Sequence, residues 1–245
     1  RYASCKNTLL NCQSSANWTS QTVVATGNLT SKLYLDPTVT GDVPQVVTLS
    51  AAGIRTYKMG TTACTAAFTA FSVGAATLGG ASSGTQWMAL QKDSGGKFHV
   101  VANEASTSVR YYNSATTDIN GAWNAVGVAE SAAVLNPNVG GAVIDTANSK
   151  LLMSYGINAS PFDLKIASVS DTSVSSASAV FTRVVPDLTG SMLLAAATVQ
   201  QKNVATASTS AGRPAAVYVD FSNGAATAAK LKYAFRDGTS ASDTW

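Results

Sequence analysis

Charge is scarce in this chain: 12% of its residues are Asp, Glu, Lys or Arg, about half the usual share. Glutamate occurs only twice, as Glu104 and Glu130. Long surface helices draw on Glu and Lys for solubility and i,i+4 pairing, so a mainly helical fold is excluded. Sixteen basic residues against thirteen acidic ones leave a net charge of +3, scattered along the sequence. No basic cluster forms a nucleic-acid footprint or a polybasic membrane patch. No apolar run reaches the 18 residues or so of a membrane span. The longest, Leu193 to Val199, suits a buried strand. P-loop, GxGxxG, EF-hand and haem-attachment motifs are all missing, so no cofactor is expected.

Cysteine and histidine are equally sparse. Cys5 and Cys12 lie close together in a polar stretch, and a bridge between them is expected in an oxidising compartment. Cys64 is then the odd one, a buried thiol behaving as a small hydrophobe; the plain alternative is three free thiols. A zinc site from Cys5, Cys12, Cys64 and His99 has the right atoms but no CxxC knuckle, so no metal is expected. His99 is the sole histidine. A Ser-His-Asp triad needs a serine and an acid beside it, and the sequence nominates neither. A structural role is the expectation for His99.

What the chain does have is a repeat. A cation follows an apolar residue and precedes an aromatic or small one in Ile54-Arg55-Thr56-Tyr57, Val109-Arg110-Tyr111-Tyr112, Leu164-Lys165-Ile166-Ala167 and Leu231-Lys232-Tyr233-Ala234. Arg1-Tyr2-Ala3-Ser4 is the same motif without its leading residue. A second motif, an aromatic followed by Thr or Asn, comes after each: Trp18, Phe68, Trp123 and Phe181, then Trp245. Each period holds four strand-like runs joined by turn signals such as Lys92-Asp93-Ser94-Gly95-Gly96-Lys97. Four short antiparallel strands per ~55 residues, without helix, describe a propeller blade. The predicted fold is an all-β propeller with about four to five four-stranded blades. The repeats are approximately 1–31, 32–79, 80–135, 136–190 and 191–245, within one domain. The aromatic that starts each fourth strand is expected to bury its ring against the adjacent blade.

These residues resemble a family. Ala89-Leu90-Gln91-Lys92-Asp93-Ser94-Gly95-Gly96-Lys97-Phe98-His99-Val100 is similar to the inner hairpin of repeats in secreted bacterial β-propeller proteins. Leu231-Lys232-Tyr233-Ala234, and Arg1 to Cys5 followed by Asn17-Trp18-Thr19, fit the second half of that repeat. The resemblance implies a propeller in a secreted or cell-surface protein. It implies no particular activity, because fold does not fix function.

The repeated cations are first a structural feature, their stems lying along a neighbouring blade. A lectin reading would join Arg55 with Tyr57, and Arg110 with Tyr112 and Trp123, as sugar-binding sets. Such sites usually add a carboxylate each, and two glutamates cannot serve every blade. A sialidase box SxDxGxTW is missing; Arg236-Asp237-Gly238-Thr239-Ser240 lacks its spacing. A glycosidase needs a carboxylate pair, which distant loops can supply. The function expected from these features is non-enzymatic: a binding or scaffold propeller that contacts protein, with a carbohydrate-binding lectin or adhesin as the alternative and a glycosidase- or sialidase-like hydrolase ranked after both. The run opens on a third strand and closes at the start of a fourth. A second segment or a protein partner is therefore expected to complete the ring. No nucleic acid and no membrane span enter the expectation.

Overall fold

The computed structural model describes residues 2–5, 18–21, 23, 28–36, 43–50, 53–59, 71–73, 88–104, 108–130, 138–145, 150–157, 163–169, 181–183, 205–208, 214–220 and 230–235. They form strands throughout and no helix. The first sheet holds β1 (Tyr2–Cys5) and β2 (Trp18–Gln21). The second runs β3 (Asn28–Asp36), β4 (Val43–Ser50), β5 (Gly53–Met59) and β6 (Phe71–Val73). The third runs β7 (Met88–Lys92), β8 (Phe98–Glu104), β9 (Ser108–Ser114) and β10 (Trp123–Glu130). The fourth runs β11 (Asn138–Asp145), β12 (Lys150–Ile157), β13 (Asp163–Val169) and β14 (Phe181–Arg183). The fifth holds β15 (Ala205–Ser208), β16 (Pro214–Asp220) and β17 (Lys230–Phe235). Every pairing is antiparallel between consecutive strands. The inner strands pack in series, β3 on β7, β7 on β11 and β11 on β15. This is the propeller arrangement that the repeat predicts.

Alternation within a strand decides which neighbour each residue meets. In β8, Phe98, Val100 and Ala102 point to the second sheet and pack with Val47, Leu49, Ile54, Met88, Tyr112 and Ile119. Val101 points the other way and packs with Val109, Tyr111, Ala142, Leu151, Met153 and Tyr155. The third sheet is therefore apolar on both faces, as a blade between two others must be.

The register also ties the two sequence motifs together. Trp18 pairs with Cys5, Trp123 with Ser114 and Phe181 with Val169. Each partner lies four residues after a repeat cation. The same rule in the second sheet selects Met59, four after Arg55, and its partner is Phe71. The fourth strand there begins at Phe71, three residues beyond the expected Phe68, which lies outside the described residues. Phe71-Ser72 satisfies the aromatic-hydroxyl pattern as well as Phe68-Thr69 does, so composition does not separate them.

The expected burial of these rings needs correction. Trp18 is 48% exposed. Trp123 is half-buried against the cluster between the second and third sheets. Cys5 stands at the end of β1, while Cys12 and Cys64 lie outside the described residues, as does Arg1.

Candidate functional site

The densest polar arrangement among the described residues is at the hairpin end of the third sheet. Asp93 opens the β7–β8 turn. Its carbonyl accepts the Gly96 N–H at 3.0 Å, and its N–H donates to the Lys97 carbonyl at 2.9 Å. Its Oδ1 accepts the Lys97 N–H at 2.8 Å. Gly96 sits at φ 84°, a left-handed conformation that glycine adopts without strain. The turn so built aims Asp93 Oδ2 at His99 Nε2, 3.0 Å away. On the other side of the imidazole, Nδ1 meets the Tyr111 hydroxyl at 2.7 Å, with the two rings nearly parallel at 6°.

His99 is fully buried. Burial lowers its pKa below the ordinary 6.5, against a smaller upward pull from the Asp93 hydrogen bond and charge. The neutral ring has one donor and one acceptor. A carboxylate only accepts, so Nε2–H donates to Asp93 and Nδ1 accepts from Tyr111. The acid that the sequence did not nominate is thus Asp93, and a tyrosine stands on the other nitrogen where a triad would place its serine. The side chain is sealed from solvent and locks the turn onto the sheet. The signal for Asp93 was present: Gln91 pairs with His99, so Asp93, two residues on, shares that face.

The neighbouring β9–β10 loop completes this end. Ser114 Oγ accepts the Phe98 N–H at 2.8 Å and donates to the Thr116 carbonyl at 2.6 Å. Asp118 Oδ1 meets Lys58 Nζ of the second sheet at 3.3 Å. Lys92 Nζ lies 5.1 Å and 5.2 Å from the Tyr34 and Phe98 ring centroids. These contacts tie the turns to their own sheet and the third sheet to the second.

The expected sugar-binding residues fall in two separate inter-sheet spaces. Arg55 is exposed and Tyr57 buried on the face of the second sheet turned away from the third. Tyr112 is buried at 1% exposure in the cluster between those sheets, with Arg110 half-buried on the same strand face. The Trp123 indole N–H donates to the Ile119 carbonyl at 2.8 Å. The ring faces of Tyr112 are thus taken up by packing, and the polar atom of Trp123 by a loop carbonyl.

The opposite end of the third sheet holds both glutamates of the chain. Glu104 ends β8 and pairs with Ser108; Glu130 ends β10 and pairs with Val109. They flank the start of β9, two strand spacings apart, or about 10 Å between backbones. At the same end of the next sheets, Asp163 begins β13 and Asp220 ends β16. Sequence reading noted that glutamate is rare but not that the fold gathers both on one sheet. They are 26 residues apart, and only the strand register brings their backbones to one end of one sheet, with β9 between them. No group of three or more His, Cys, Asp or Glu suited to a metal forms among the described residues.

No family model matches the chain, and no curated protein sequence does. Solved structures do. An endo-arabinase from Bacteroides thetaiotaomicron aligns with a TM-score of 0.51 at 10% identity, over 89% of this chain and 78% of that one. Bacteroides ovatus xyloglucan PUL GH43B aligns at 0.44 and 14% identity, over 90% of this chain and 40% of that one. An α-L-arabinofuranosidase from Clostridium thermocellum aligns at 0.40 and 10% identity, over 86% of this chain and 69% of that one. This chain therefore spans well under half of the Bacteroides ovatus protein. At these identities the likeness is one of fold, the all-β propeller.

The comparisons correct the expectation of a non-enzymatic scaffold, and with it the adhesin alternative. A propeller of similar fold is named as an endo-arabinase. An absent sequence box is thus no argument against catalysis on this architecture. The physical reason is that strand ends far apart in sequence meet at one end of a propeller. Carboxylates can assemble there without leaving a contiguous motif. No helix among the described residues is long and apolar enough to cross a membrane.

Proposed function

We propose that this chain is a glycoside hydrolase acting outside the cell on an arabinose-containing polysaccharide, with its reaction centre at the end of the propeller that carries Glu104 and Glu130. The observation that carries the reading is the propeller likeness to the endo-arabinase, which extends over 89% of the chain. The placement of the only two glutamates on either side of β9 supports it. Hydrolysis of a glycosidic bond takes one carboxylic acid that protonates the leaving oxygen and one carboxylate that activates water or attacks the sugar. Strand ends are rigid mounts for such a pair, since the sheet register fixes their backbones. The opposite end is spent on structure: Asp93 holds His99 and Lys97, and Asp118 holds Lys58. The weak net charge suits a neutral polymer. A polysaccharide too large to enter a cell places the enzyme in a secreted or surface-exposed setting, in keeping with the repeats described above.

The test is release of reducing ends from linear arabinan, with xyloglucan as a second substrate and a neutral starch as control. Activity on arabinan is expected, with Glu104→Gln and Glu130→Gln each lowering kcat by about 10²–10⁴-fold. Folded protein inactive on both plant polymers would overturn the reading. Full activity in both Gln variants would overturn the assignment of the pair.

A further inference from the structure

The β9–β10 loop, at the end of the third sheet away from the glutamates, carries a reactive pair, Asn120-Gly121. The fold dictates the glycine. A Cβ at position 121 would run into Thr116 Oγ1 and would lie 3.0 Å from the Asp118 carbonyl oxygen. Glycine has no Cβ, so no side chain screens its backbone nitrogen from the side-chain carbonyl carbon of Asn120. That is the arrangement in which an asparagine is most open to attack by the nitrogen that follows it.

The loop holds this pair in check. The Gly121 N–H donates to the Asp118 carbonyl at 2.9 Å, which ties up the attacking nitrogen as a donor. The Asn120 N–H donates to Asp118 Oδ1 at 3.1 Å, a side chain bonded to the backbone two residues on. The Ala115 N–H donates to the Ala122 carbonyl at 2.8 Å across the base of the loop. Ile119 anchors the loop in the core. Asp118 also meets Lys58 at 3.3 Å, so one residue joins the pair to the contact between the second and third sheets. Ala115 to Asp118 are exposed, and Asn120 and Gly121 are half-buried. Water has access, and only a few exposed hydrogen bonds need to open.

We propose that Asn120 is a self-modification site, converted to aspartate and isoaspartate when the loop opens, and that Asp118 is the residue that holds it shut. The Gly121 nitrogen gives up its proton and bonds to Asn120 Cγ. The bond from Cγ to the side-chain nitrogen breaks, and that nitrogen leaves as ammonia with the proton. Water then opens the cyclic imide at either carbonyl. Opening at Cγ restores the ordinary backbone, with aspartate at this position. Opening at the main-chain carbonyl gives isoaspartate, whose backbone runs through an extra carbon. Water is consumed and ammonia released, with nothing oxidised or reduced. Either product sets a new carboxylate near Asp118. The longer backbone of isoaspartate also upsets the spacing that the Gly121 N–H and the Ala122 carbonyl need. The loop that ties the third sheet to the second therefore loosens with age.

The test ages the full chain in neutral buffer, native and in urea, in heavy-oxygen water. Tryptic peptides are fragmented to locate the mass gain and to separate aspartate from isoaspartate. In urea Asn120 should react as fast as Asn223-Gly224, the other Asn-Gly pair of the sequence. In the native protein Asn120 should react about tenfold or more slowly than in urea, because loop opening limits it. Asp118→Ala should raise the native rate about threefold to tenfold, the effect of losing a hydrogen bond that braces the loop. Asp118→Asn keeps an acceptor oxygen and should stay near the parent. Circular dichroism of both variants should match the parent, and the comparison of native with urea needs no variant. A native rate equal to that in urea overturns the proposal. So does an unmodified Asn120 in native Asp118→Ala while the urea sample is converted, or an acceleration as large in Asp118→Asn as in Asp118→Ala. Aspartate without isoaspartate would mean direct hydrolysis of the side chain and overturns the imide route.

Discussion

The second and third sheets are built from similar strands in the same order, yet their innermost strands differ in how far they are covered. Leu90 and Leu33 show the difference at one register position. The third sheet has a full sheet on either side, and its leucine joins the core. Among the described residues the second has β1 and β2 before it, and its leucine stands 49% exposed. The residue type is the same. What differs is the neighbour, so burial in a propeller is a property of the ring position and not of the strand.

Truncations should separate the two sheets most sharply. Phe98 is fully buried between the second and third sheets, edge-on to Tyr34 at 5.6 Å. Phe98→Ala should destabilise the protein by about 3–5 kcal/mol. Leu33→Ala should change stability by only about 0.5 kcal/mol or less. Urea unfolding of the two variants tests this, and equal losses would mean that the β3 face is covered in solution.

The polar network on the far face of the third sheet should come next. Tyr111→Phe keeps the ring but removes the hydroxyl that His99 Nδ1 accepts from. Leaving that buried nitrogen without its donor should cost about 1–3 kcal/mol. The network also sets a pH dependence. Burial lowers the His99 pKa below 6.5, so the unfolded chain binds a proton where the folded chain does not. The contribution of His99 is full above 6.5 and is lost progressively as pH falls through that value towards the folded pKa. Replacing His99 by Gln should flatten this part of the stability profile between pH 7.5 and pH 5, about the range in which an ordinary imidazole titrates. An unchanged slope would place the titration elsewhere.

Much of this architecture was legible from spacing alone. Four strands per period were expected, and the second, third and fourth sheets each hold four. Strands that face two neighbours read as short apolar runs, and the turn chemistry between them is explicit. The candidate site was less legible. Glu104 and Glu130 carry no motif, and their placement at one end of the sheet exists only in the register across β9. Tyr112 and Trp123 looked suited to a sugar because an aromatic beside a cation serves a core as readily as a pocket. In the structure Tyr112 packs between two sheets and the Trp123 N–H donates to the Ile119 carbonyl. The choice between Phe68 and Phe71 likewise needed the rule that links the aromatic to the fourth residue after the cation.

A smaller effect is expected at the turn that organises the third sheet. Gly96 has φ 84°, and a Cβ there would sit 3.0 Å from Thr117 Cγ2. Gly96→Ala should cost about 1–2 kcal/mol for the left-handed backbone, with the Thr117 rotamer shifting to make room. Gly95 has no such φ, and its nearest contact would be Asp93 Oδ1 at 3.3 Å. Gly95→Ala should therefore be milder. Thermal unfolding of the pair tests the ordering, and a more damaging Gly95 variant would refute this account of the turn.

The weakest link between the two sheets should be the ion pair that joins them on the surface. Lys58 Nζ lies 3.3 Å from Asp118 Oδ1, with the side chains 37% and 53% exposed. Water and salt screen such a pair, and the lysine loses rotamer freedom in making it, so its contribution should be about 0–1 kcal/mol. Asp118 has a second task, because its Oδ1 also accepts the Asn120 N–H at 3.1 Å within the β9–β10 loop. Asp118→Ala should therefore cost more than Lys58→Ala, and the excess belongs to the loop. A double-mutant cycle separates the two contributions. The coupling should be a few tenths of a kcal/mol at low salt and should vanish at about 1 M, where screening acts within about 3 Å. A coupling that survives high salt would show that the pair is desolvated in solution, and that the second and third sheets are clamped at this end more firmly than their exposure indicates.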